Sequence, residues 1–122
     1  MKRIATLLYA GAVALMLTNG AMAGDTSMVT PAQVAAATTA ADHEAIANEY
    51  DAEAAAAEAA ARKHEAMVQS YEVAAHSPKN ALAGSMVQHC KNLVKDYQSA
   101  AADYKALAAG HRKMAEECCH SH

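Results

Sequence analysis

Histidine, methionine and cysteine are the residues of this chain whose placement suits a chemical task. His64 is followed three residues on by Met67, and His111 by Met114. On a helix that step sets both side chains on one face. Met86, His89 and Cys90 form a further group, His43 stands apart, and the chain closes on Cys118-Cys119-His120-Ser121-His122. Imidazole, thioether and thiolate together bind soft or borderline ions: copper, Cu(I) above all, or zinc where nitrogen and thiolate dominate. The expected metal ligands are therefore His43, His64, Met67, Met86, His89, Cys90, His111 and Met114 along the helices. Cys118, Cys119, His120 and His122 would add a second capture point at the C-terminal end, since short Cys/His tracts bind metal.

Two other readings compete with metal binding. Methionine and histidine at packed positions also fill cores and find hydrogen bonds there. Three cysteines in an oxidising compartment leave an odd thiol for an intermolecular disulfide. On that reading the chain is a structural coiled-coil module, covalently dimerised through cysteine, that docks on another exported protein. A histidine and a methionine on facing helices also suit axial ligation of a b-type haem, although the C-x-x-C-H attachment sequence is absent. Enzyme signatures are missing: there is no Gly-rich phosphate loop and no H-E-x-x-H, so no catalytic role is expected.

The elements that position these residues follow from a repeat. Shifting the sequence by forty-seven residues aligns Pro31 with Pro78, Ile46 with Leu93, Tyr50 with Tyr97, His64 with His111 and Met67 with Met114, without a gap. Thr30-Pro31 and Ser77-Pro78 give the two copies the same start signal, a capping hydroxyl followed by proline at the first helical position. Each copy is rich in Ala, Glu, Lys and Gln, the strong helix formers, and has no internal proline. The spacing predicts two helices, over about 30–75 and 77–119, with some bending near Gly84 and Gly110.

In the second copy Met86, Cys90, Leu93, Tyr97, Ala100, Tyr104, Leu107, His111, Met114 and Cys118 alternate by four and three residues, a heptad seam. The first copy follows through His43, Ile46, Tyr50, Glu53, Ala57, Ala60, His64, Met67, Tyr71 and Ala74, with Glu53 as its one charged member. The expected fold is all-α: an antiparallel two-helix hairpin built from a tandem repeat, dimerising into a four-helix bundle or coiled coil. A fold-back centred on Ser77 sets His64 opposite Cys90, His43 opposite His111 and Tyr50 opposite Tyr104. Two related sites result, about 30 Å apart at 1.5 Å per residue.

Composition bounds the rest. Residues 1–23 have the three parts of a secretory signal: Lys2 and Arg3, an apolar run from Ile4 to Leu17, and Ala21-Met22-Ala23 as the cleavage site. The apolar run is short of the roughly 20 residues a membrane span needs, so a periplasmic or secreted protein without a span is expected. Residues 24–29 read as a disordered lead-in and 120–122 as a flexible tail. Removing Lys2 and Arg3 leaves eight basic against thirteen acidic side chains, a formal charge of −5, which argues against nucleic acid as a partner. With no Trp or Phe, alanine supplies most of the apolar content, and one hairpin buries little area; a homodimer is expected for that reason.

Overall fold

A computed structural model describes residues 28–118. The expected signal peptide, most of the expected lead-in, and Cys119, His120 and His122 lie outside the described residues. Three helices make up the rest: α1 over Pro31–Ala36, α2 over Ala40–Ala75 and α3 over Ala83–Cys118. The two long helices, each 36 residues and so about 54 Å in length, pack side by side and antiparallel. No helix among the described residues is long and apolar enough to cross a membrane.

The start of the first expected helix departs from a single continuous element, while its end at Ala75 is as expected. Thr30-Pro31 does start a helix, with a capping box closed by Gln33, but that helix is α1 and stops after six residues. The chain then starts again at Thr39, whose hydroxyl accepts the Asp42 amide at 3.1 Å while the Asp42 carboxylate accepts the amides of Thr38 and Thr39 at 3.0 and 2.9 Å. These bonds, the Thr38 amide first, hold the Asp42 carboxyl below the usual carboxylate range. Two adjacent threonines followed by Asp42 form a stronger helix start than the intervening alanines can bridge. Replacing Thr39 with alanine removes one half of that box; a loss of about 1 kcal/mol is expected, visible as a lower midpoint in thermal unfolding.

The second copy starts late. Ser77-Pro78 caps no helix; the Ser77 carbonyl accepts the Asn80 amide and the Asn80 carbonyl accepts the Ala83 amide, at 3.0 and 2.9 Å. These consecutive turns reverse the chain, and α3 begins only at Ala83. A hairpin needs its loop residues somewhere, and proline with asparagine suits the turn better than the helix. Beyond it α3 runs unbroken through Gly84 and Gly110.

The interface between α2 and α3 is narrower than the heptad reading predicted. The central column is as expected: Tyr50, Ala57 and His64 of α2 lie toward Tyr97, Tyr104 and His111 of α3, and Tyr50 stacks on Tyr104 with ring centroids 6.2 Å apart. The flanking column is the other one. Ala101, Ala108 and Ala115 are 4, 0 and 4% exposed, while Leu93, Leu107 and Met114 are 38, 45 and 47% exposed. On α2, Ala47, Ala54 and Ala61 are buried in the same way. Alanine wins because methyl groups facing methyl groups let the two backbones approach closely along the whole hairpin, and leucine or methionine there would hold them apart.

Close approach also brings charges within reach. Glu58 pairs with Lys105, Asp51 with Arg112, Glu65 with Gln98 and Glu72 with Lys91. Each of Glu58 and Lys105 sits beside the alanine column of its own helix. These pairs are exposed, contribute little stability, and act mainly to fix the register.

Glu53, the charged member of the α2 seam, is buried but satisfied. It accepts the Val29 amide at 2.8 Å and the Tyr104 hydroxyl, whose pKa burial first and the Glu53 charge second push up. Val29 and Met28, the last residues of the expected disordered lead-in, are thereby placed on the hairpin, Met28 lining a shallow cleft with Ala56, Ala57, Tyr97, Ala100 and Tyr104. Gln33 ties α1 down through both carboxylate oxygens of Glu49, at 3.1 and 3.0 Å.

Candidate metal centre

The site worth building is at the open end of the hairpin, away from the 76–82 turn. His43 lies in the first turn of α2, set there by the Thr39 cap, and His111 lies near the end of α3, one heptad beyond Tyr104. Antiparallel packing in the register of Tyr50 and Tyr104 brings the two imidazoles together, Nδ1 to Nδ1 at 3.1 Å. The rings are tilted by 40° with centroids 5.3 Å apart, and Tyr50 closes one side with its ring 5.8 Å from His111. His111 is 7% exposed. Burial first, and the neighbouring His43 charge second, hold its pKa below the ordinary histidine value.

Across the pair one Nδ1 donates and the other accepts, the roles set by the ring tautomers. Protonating both would place two cations in contact. His111 therefore opposes acidification in the folded state. Its folded pKa is depressed, so the unfolded chain takes up more protons once the pH falls below the unfolded value of about 6.5. Stability is full above that pH and falls as the pH drops toward the folded pKa, then levels off. Melting midpoints recorded between about pH 8 and pH 5 are expected to decline below pH 6.5, and His111→Gln is expected to flatten that slope.

His64 stacks on Tyr97, with centroids 5.6 Å apart and planes within 12°. Its Nδ1 is buried and has no hydrogen-bond partner, the Cys90 thiol included. Cys90 is buried and unbridged; Met67 and Met86 are half-buried, and His89 is exposed. The exposed Met114 lies on the outer column beside His111. Among the described residues no three His, Cys, Asp or Glu side chains converge as a metal-holding set. Cys118 is half-buried and unbridged, on the same column as His111 and about 10 Å farther along the helix.

What the structure brings together is thus narrower than the ligand set read from residue types: one pair of imidazoles, walled by a tyrosine. Tyr50 as ring partner of the buried His111 and Tyr97 as that of the half-buried His64 go beyond the sequence-based expectation. The signal for them was present, since each stands fourteen residues from its histidine in the repeat, Tyr50 before His64 and Tyr97 before His111, and contacts the other copy's histidine instead.

Fold and site together define a class: an antiparallel helical hairpin with a bis-imidazole pair at its open end. No protein-family model, no curated protein and no solved structure matches the chain.

Proposed function

We propose that this chain is an exported helical hairpin that binds a late transition metal, Cu(I) in first place, and serves as a metal buffer, carrier or sensor. The observation that carries the reading is the pair of Nδ1 atoms of His43 and His111, 3.1 Å apart across the two helices. Two neutral imidazoles facing each other suit linear coordination, which Cu(I) accepts. Zinc ordinarily takes four ligands, so it fits a two-nitrogen site less well. Metal–nitrogen bonds of about 2 Å each require the rings to part by about 1 Å and the bridging proton to move to the Nε2 of its own ring, so the neutral pair binds without net proton release and acid competes by protonating the ligand nitrogens.

Export rests on the leader sequence of residues 1–23. The tandem-repeat reading is supported by contacts that the forty-seven-residue shift interchanges. Asp51 with Arg112 becomes Gln98 with Glu65, and Tyr50 with His111 becomes Tyr97 with His64. Glu58 with Lys105 maps onto itself. The alanine packing, with Ala54 and Ala108 at 1 and 0% exposure, argues against haem, since no porphyrin-sized slot separates the helices.

The reading is tested by elemental analysis of the full chain purified under reducing, copper-replete conditions, beside two variants. One carries His43→Ala with His111→Ala; the other carries Cys119, His120 and His122 replaced by alanine. One equivalent of copper retained in the parent and the tail variant, and lost in the histidine variant, is expected. Copper lost only with the tail would move the function out of the hairpin.

A further inference from the structure

The residues displaced from the predicted seam form a surface of their own. Leu93, Ala100, Leu107 and Met114 recur every seven residues along α3, with Met86 extending the row toward the loop, and three of them are 38 to 47% exposed. The row lies on the same side of the hairpin as the cleft holding Met28, Tyr97 and Tyr104, and opposite the ion-paired alanine side. Met28, 65% exposed, continues the apolar surface. The equivalent row on α2 begins with Ile46 and Glu53, both buried under the chain's own α1 and Val29. Among the described residues the α3 row has no such cover.

Gly110 points to what covers it. It lies between Leu107 and Met114 on this side, in a helix interior where glycine is less favourable than alanine. Nothing in the hairpin lies within 4 Å of where its Cβ would stand, so no intramolecular contact requires the glycine. The gap it leaves would admit a helix crossing closely from outside.

We infer that this face is the interface for a second copy of the same chain, packed about a twofold axis to complete a four-helix bundle. Three features favour a copy of itself. The patch carries protruding side chains, Leu107 and Met114, and the gap at Gly110 together, which makes it self-complementary under a twofold axis. The row from Met86 to Met114 is about 42 Å long, and two helices abreast are about 20 Å wide. The footprint is thus on the order of 800 Å² per copy, the size of a standard stable interface. Finally, the hairpin interior contains no fully buried large side chain, so the larger apolar residues of α3 find their burial only between copies.

This inference does not rest on the metal reading, and its test keeps the two apart by working in reductant and chelator throughout. The mass in solution of the full chain, freed of its leader during export, is measured by sedimentation across a dilution series, with circular dichroism on the same samples. A dimer is expected. Leu93→Glu with Leu107→Glu is expected to give a folded monomer. Gly110→Ala gives the sharper readout: the hairpin has room for the methyl group, so its helicity is unchanged or higher, while the dimer weakens at least tenfold. A monomeric parent overturns the inference and leaves the face to a different exported protein. A dimer indifferent to both variants overturns it as well.

Discussion

Replacing Ala108 with leucine will lower the melting midpoint of this protein by about 10 °C or more, the largest effect of any conservative substitution in the hairpin. Ala108 has no exposed surface and stands in the column where α2 and α3 approach most closely. Three added carbons have no space to enter. A core of large side chains spreads such an insertion over several rotamers, but the buried residue opposite Ala108 in the register of the ion pairs is Ala54, which has no rotamer to change. The helices must separate instead, which strains Glu58 with Lys105 and Asp51 with Arg112. Overpacking of this kind costs about 1–3 kcal/mol, with the upper end expected here. Thermal unfolding followed by circular dichroism measures it, and Ala102→Leu, on an exposed position of the same helix, serves as the control and should shift the midpoint little. Equal shifts from both would mean that the alanine column is not the contact.

The second large effect concerns the metal. Either His43→Ala or His111→Ala leaves a single imidazole where the proposal requires two. Cu(I) affinity, measured by competition with a chromophoric chelator, should fall by about a hundredfold, equivalent to about 2.7 kcal/mol. His89→Ala should change nothing, because His89 is exposed on the loop side of α3, well away from the open end. Competition with protons gives a second readout: affinity declines as the pH falls through the histidine range, and the decline is shallower when either histidine is replaced.

How much of this was legible in the sequence depends on the residue. The helical pair, its antiparallel course and the facing of Tyr50 with Tyr104 and His43 with His111 follow from heptad spacing and a turn near Ser77, because a regular helix carries one correct register along its whole length. The flanking column was not legible. Hydrophobicity singles out Leu93, Leu107 and Met114, whereas packing selects Ala101, Ala108 and Ala115, and only the distance between two backbones decides between them. The second cap at Thr39 was legible, since Thr39 and Asp42 stand at capping-box spacing, although the alanines around it favour an unbroken helix. Ser77-Pro78 reads as a cap as easily as a turn, and the hairpin's need for a loop resolves that choice. That His64 lies flat against a tyrosine was not legible from spacing alone. Once the alanine columns set the depth of packing, His64 stacks flat on Tyr97.

The central claim is that two ring nitrogens, and no sulfur, hold the metal. X-ray absorption at the copper edge on the full chain loaded with one equivalent of Cu(I) tests it most directly. The account predicts two nitrogen neighbours at about 2 Å, the imidazole pattern of outer-ring scattering, and no sulfur. Sulfur at about 2.3 Å would contradict it and assign the ion to the cysteines.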